Sequence, residues 1–419
     1  MFRIVVLAVA ATLYAHERAD AADTAPSPPA PDRLLSLDSK TLTGDWTGFR
    51  RTLDERGVRV NLFLNHQYEG IVKGGLPSKR DDRSSASTDA FVNLDLERMK
   101  LLPGADVLLH LQSNWGRGIN LISGSLYDVN DDADGDLRYH VAQFWFRQHL
   151  FERKAALTLG FLDFQTIVDR NAYANSEDKQ FWNQALDNNP LVPLSIGLGA
   201  WLEVKPVKWY SLQLGVADAQ SVLYKPGFST AFHDEAWFVG YAENDFRVAL
   251  PSSRGPLPGN YRVGVVYDPR RRTPFSYSEF DRRPHGDDYG AFVSVDQMVF
   301  RERSEDEQGL GVFGRFGYRT PATNRIARFW SAGVSYTGLI PLRDRDVLGL
   351  GAAFERSSRL YRSRVDDELD NETAYELYYA IRIAEWLVIT PDVQYIDNPG
   401  AHGDVGRTIV AGVRTRVSF

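Results

Sequence analysis

The densest group of potential metal ligands in the chain is Asp128–Asp136, which reads DVNDDADGD. Asn130, Asp132, Asp134 and Asp136 place oxygen donors at alternate positions, and Gly135 follows them as in the first half of a calcium loop. The twelfth position counted from Asn130 is Val141, where such a loop needs a bidentate carboxylate. A solvated acidic loop is therefore the favoured reading, with calcium at those four residues kept as a secondary candidate. The eight histidines fall in no zinc-protease spacing. No nucleophile elbow and no P-loop occurs. The residues thus predict binding rather than bond-making, with no catalytic residue and no cofactor. A serine and histidine brought together in space would be invisible at this level.

The segment Gln165–Pro190 has a different character. It carries Asp169, Arg170, Asn171, Tyr173, Asn175, Phe181, Trp182 and Asn183. Carboxylate, guanidinium and amide groups hydrogen-bond hydroxyls, and aromatic faces offer apolar area to the C–H face of a pyranose. This combination suits a sugar if the segment folds into an enclosed space. On the bland reading it is a surface loop whose aromatics pack its own base.

Something must position that segment, and the C-terminus shows what. Between Glu372 and Phe419, three runs alternate apolar and polar residues. Tyr375, Leu377, Tyr379, Ile381 and Ile383 stand against Glu376, Tyr378 and Arg382. Leu387, Ile389, Val393 and Tyr395 stand against Thr390, Asp392 and Gln394. Ile409, Ala411, Val413 and Val417 stand against Thr408, Arg414, Arg416 and Ser418. A period of two puts alternate side chains on opposite faces of a strand. The runs have the length of tilted bilayer-spanning strands. A soluble β-sandwich would also alternate, but its inner face seldom repeats charges, because unpaired buried charge is costly.

The same period begins at Val58 and recurs to the end, giving about sixteen runs, an even number as a closed bacterial barrel requires. Tight connections such as Arg98–Pro103 and Phe151–Lys154 alternate with long ones such as Gly116–Leu137, Gln165–Leu191 and Pro269–Asp288. Glycines within runs, including Gly197, Gly199, Gly349 and Gly351, allow bends or close approach of another segment. The fold expected is all-β: a transmembrane antiparallel barrel with a short amphipathic helix before it. Parity then nominates lumen-facing residues: Asn93, Asp95, His110, Gln112, Arg147, Glu203, Arg315, Glu376, Tyr378, Arg382, Asp392 and Gln394. From the inward segment, Asp169, Arg170, Asn171 and Trp182 join them.

Composition agrees. The 419 residues contain no cysteine, and the formal charge of −7, without a dense basic block, argues against nucleic acid. Past the N-terminus no apolar run is long enough for a membrane helix. Residues 1–21 read as a secretory signal, with Arg3, an apolar run Ile4–Ala15 and a small-x-small site at Ala19-Asp20-Ala21. Residues 22–56 form a Pro-rich spacer and a helix whose Trp46, Phe49 and Leu53 share one face. Thr43 or Asp45 could cap its start and Gly57 its end. Residues 57–419 are the barrel.

Three ordered stretches resemble the OprB family of carbohydrate-selective outer-membrane porins. They are LTGDWTGFRRTLDERGVRV near the start, LTLGFLDFQTIVDRNAYAN in the middle, and ETAYELYYAIRIAEWLVITPDVQYIDNPG near the end. The resemblance runs from about Leu42 to Phe419. It implies a sixteen-stranded barrel of the outer membrane, passing glucose-like mono- or oligosaccharides passively into the periplasm. It further implies inward loops forming a constriction, contact with membrane lipid, a terminal Phe419 read by the barrel assembly machinery, and a homotrimer. Within Gly160-Phe161-Leu162-Asp163 the family often has lysine after the glycine, so Phe161 would remove a positive charge near the constriction. The rival readings are a barrel for polysaccharide export or secretion, and a barrel enzyme.

Overall fold

A computed structural model describes residues 36–37, 39–133, 135, 137, 139–193, 196–222, 229–232, 237–276, 286–304, 306–366 and 368–419. The expected signal and most of the Pro-rich spacer lie outside these residues, as do Asp134 and Asp136 of the acidic cluster.

Sixteen strands close into one antiparallel barrel. They are β1 (Val58–Lys73), β2 (Asp82–Asp95), β3 (Ala105–Arg117), β4 (His140–Leu150), β5 (Ala155–Asp163), β6 (Ile196–Val207), β7 (Tyr210–Asp218) and β8 (Phe238–Leu250). The circuit continues with β9 (Leu257–Arg272), β10 (Gly286–Arg301), β11 (Gly309–Arg319), β12 (Ile326–Thr337), β13 (Val347–Ser357), β14 (Asn371–Ala384), β15 (Leu387–Asp397) and β16 (Thr408–Ser418). Each strand pairs with its sequence neighbours, and β1 closes on β16 with Leu64 opposite Val417. Closure leaves no unpaired sheet edge, which lipid could not hydrogen-bond.

The faces follow the alternation. Leu377 and Val413 are 47% and 40% exposed, whereas Glu376, Asp392 and Arg414 are 1%, 2% and 1% exposed. Greasy side chains thus point out to lipid, and polar ones point in. At the loop end the strands run past the apolar alternation, with β2 beginning at Asp82 and β10 at Gly286. There the outward residues are polar, so the hydrophobic alternation fades while the backbone ladder continues.

Connections at one end are short, such as 208–209 between β6 and β7 and 385–386 between β14 and β15. At the other end are the long segments 118–139 and 164–195. The helix α1 (Phe49–Glu55) sits at the short-turn end beside the β1–β16 seam. Asp45 accepts a hydrogen bond from the Arg51 amide at 3.0 Å, and Arg50 donates to the carbonyl of Phe419 at 2.6 Å. Gly57 follows the helix with φ +86°, and a Cβ there would meet the Asp95 carbonyl at 2.6 Å. That position therefore requires glycine.

Candidate functional site: an inward loop and the cavities beside it

Segment 164–193 enters the barrel and packs against the inner wall of β11–β14. Phe181, Leu186 and Ala174 join Phe313, Phe329, Ala353 and Tyr378 in one buried apolar cluster. Gly351 makes room, because a Cβ there would stand 2.8 Å from Leu186 and 2.9 Å from Phe181. The loop backbone is satisfied by wall side chains. Glu376 accepts from the amides of Trp182 and Asn183 at 2.6 and 2.9 Å. Arg315 donates to the carbonyls of Leu186 and Asp187, each at 2.9 Å, and to that of Ala174. Arg414 donates to the carbonyls of Glu177 and Gln180. Gln394 accepts from Asn183 at 3.0 Å and donates to the carbonyl of Val129 at 2.7 Å, tying in the second inward segment.

These contacts correct several expectations. Arg315, Glu376, Tyr378, Asp392 and Gln394 face inward, as parity requires, but all are buried under the loop. Arg315, Glu376 and Gln394 anchor the loop by hydrogen bonds, Tyr378 packs on Phe181, Asp392 accepts from Gln394, and none offers surface to a solute. Asp169 is buried too, with its carboxylate 3.5 Å from Arg315 and its amide donating to Glu243 at 2.8 Å. Trp182 is 1% exposed and lies against Arg414, with 5.3 Å from ring centroid to guanidinium carbon, so it presents no stacking face. Within the acidic cluster, Asn130 donates to Glu69, and Asp132 accepts from Gln67 and from Ser87. These two side chains are thus tethers of segment 118–139 to β1 and β2. Register sets Phe161 opposite Phe144 on one side and Leu198 on the other, in the row that the exposed Phe144 marks as outward. The difference at Phe161 therefore lies off the lumen.

On β2–β9 part of the wall stays open, although Phe164, Val168 and Val192 of the loop pack on Trp201, Val239 and Tyr241. A cavity of ≈ 690 Å³ lies between it and the loop, lined by Trp145, Arg147, Trp201 and Glu203 from the wall and by Arg170 and Asn171 from the loop. Toward the loop end it adjoins a cavity of ≈ 450 Å³, with Phe91, Gln143 and Thr166 on both. His110 and Gln112 line that outer cavity. His110 stacks on Phe91 at 4.0 Å between centroids, with its Nε2 2.8 Å from Asp89. Toward the short-turn end, Trp145 and Arg147 also border a cavity of ≈ 380 Å³ that includes Asn93 and Asp95. Arg382 stands apart, exposed at the β14–β15 turn, 3.2 Å from Glu385.

Charge along this route is uneven. In the central cavity Glu203 is 2.7 Å from Lys205, and Asp245 lies between Arg247 and Arg262, each at 3.6 Å. Arg147 donates to the Thr158 hydroxyl at 2.9 Å and lies over the Trp145 ring. The outer cavity holds the loop acids Asp132, Glu177 and Asp178. Burial pushes the Asp132 carboxyl up to about 7 and holds Glu177 well above the usual range, whereas Lys179 and Arg416 keep Asp178 low. Trp145, Trp201, Lys205, Asp245, Arg247 and Arg262 were missed from sequence. Trp145 has the parity of Arg147, and Trp201 and Lys205 that of Glu203, so extending each row would have found them.

The family described as "Carbohydrate-selective porin, OprB family" matches residues 79–419. Porin B of Pseudomonas aeruginosa is 24% identical over 92% of both chains. Porin AaxA of Chlamydia trachomatis serovar A is 26% identical over 76% of this chain and 67% of its own. Among solved structures, the high-pH structure of Pseudomonas putida OprB superposes with a TM-score of 0.81, at 21% identity over 92% of this chain and 100% of that one.

Proposed function

We propose, from the premise that the chain belongs to the OprB family of carbohydrate-selective porins, that solute passes through the open half of the barrel, along β2–β9. The protein is an outer-membrane sugar porin. The finer reading concerns route, lining and substrate. Three cavities with shared walls carry it, because together they run from the loop end to the short-turn end. A glucose-like solute would descend past His110 and Gln112, reach Trp145, Arg147, Arg170, Asn171 and Glu203, and leave past Asn93 and Asp95. Donors and acceptors replace the water stripped from its hydroxyls, and indole faces cover its C–H face. Movement is passive and runs down the concentration gradient into the periplasm.

Liposome swelling with mono- and disaccharides tests this. Trp145→Ala together with Arg170→Gln should change the ranking of sugars, whereas Glu376→Gln should leave the ranking intact. A ranking unaltered by the first pair would overturn the route. Removal of residues 1–21 as a signal, recognition of Phe419 by the assembly machinery and trimerisation belong to the same proposal, supported by the N-terminal pattern and the family. Export and enzyme readings have no comparable observation behind them.

A further inference from the structure

At the loop end of β12 and β13 the outward row carries Arg328 directly opposite Arg356. Both are exposed, and neither has an ion-pair partner among the described residues. Like charges directly opposite on one face repel, with Cα atoms only about 4.5–5.5 Å apart. Two outward acids at this rim have cations beside them: Asp82 is 3.2 Å from Arg80, and Asp397 is 3.0 Å from Arg407. The arginine pair has no such counter-charge among the described residues.

One row further into the membrane, Trp330 faces Phe354 across the same two strands, ring centroids 5.7 Å apart. The row below that is small: Gly314, Ala332 and Ala352 lie in register across β11–β13. Between the bulky and small rows runs an apolar groove of ≈ 570 Å³, bounded laterally by Val293 and Tyr375. Aromatic residues on the outer wall mark the membrane interface, and the long loops of such barrels are extracellular. The arginines therefore stand at the headgroup level of the outer leaflet, and the groove lies at the level of acyl chains.

We propose that this patch binds a phosphorylated acyl lipid of the outer leaflet, with phosphate held by Arg328 and Arg356 and one acyl chain seated over Gly314, Ala332 and Ala352. Two planar guanidiniums side by side suit bidentate contact with phosphate oxygens. The groove separates a lipid from free phosphate, which would use only the arginines.

Native mass spectrometry of the refolded full chain tests the site against a bis-phosphorylated, acylated glucosamine lipid, its dephosphorylated form and inorganic phosphate. The phosphorylated lipid should be retained, and Arg328→Gln with Arg356→Gln should lower retention about tenfold or more. Ala352→Phe, which fills the groove, should weaken the lipid and leave inorganic phosphate unaffected. If the double variant does not fold, Arg356→Lys serves: it keeps the charge, loses the fork and should retain less lipid. Equal retention of the dephosphorylated lipid, or undiminished retention by the variants, overturns the proposal. So does full competition by equimolar inorganic phosphate. A change of oligomeric state with lipid retention intact would assign the patch to a contact between copies and also overturn it.

Discussion

The inner wall of this barrel has two halves written in the same alternation and put to different uses. On β11–β16, inward Arg315, Glu376, Gln394 and Arg414 are buried and spend their hydrogen bonds on loop backbone. On β2–β9, inward Arg147, Glu203 and Arg247 border a cavity. Buried charge on the first half is tolerable because each group is matched to several partners at once. On the second half each of the three has a polar neighbour on the wall and a side open to the cavity: Arg147 has Thr158, Glu203 has Lys205 and Arg247 has Asp245. A charged residue at an inward position therefore signals a lumen, while its neighbours in space decide whether it anchors or lines.

Removing an anchor should have the largest effect. Arg315→Ala strips at least three loop carbonyls of their donor and leaves Asp169 buried without its cation, a loss of about 3–5 kcal/mol. The heat needed to unfold the barrel, read by gel mobility in detergent, should fall, and single-channel conductance should rise as the loop leaves the lumen. Unaltered conductance would mean that the wall does not hold the loop.

Crowding the loop should come next. Gly351→Val would push Leu186 and Phe181 off the wall, at a cost of about 1–3 kcal/mol. Increased protease cutting within 164–195, in a barrel that still folds, is the expected result.

Acidity should sharpen the contrast further. Asp132, raised to about 7, holds its proton more tightly in the docked loop than in free solvent. Its contribution to docking is thus fully present below about pH 4 and is lost as pH rises through about 7. Loop-opening events in planar bilayers should be rarer at pH 5 than at pH 8, and Asp132→Asn should flatten that dependence. Asp178, held low, predicts no change in this window.

The smallest effects belong to the open half and the mouth. Arg147→Gln should leave stability within about 0.5 kcal/mol and shift ion selectivity toward cations. Arg382→Ala, at an exposed turn already paired with Glu385, should shift selectivity in the same direction but less, and the shift should fade in high salt. A larger effect from Arg382 than from Arg147 would place the controlling charge at the mouth.

The number of strands, their order, which side chains meet lipid and the need for inward loops were all legible in the sequence. Each is a consequence of local periodicity and connection length, which residues close together in the chain express by themselves. A stacking role for Trp182 and a lining role for Glu376 followed there from residue type and parity, and their burial between loop and wall reassigns both. What a polar side chain touches across the lumen depends on partners some two hundred residues away, as Glu376 does on Trp182 and Asn183. No short-range pattern encodes such a partner. Only closure of the barrel brings loop and wall together, and that meeting divided one set of inward residues into anchors and lining.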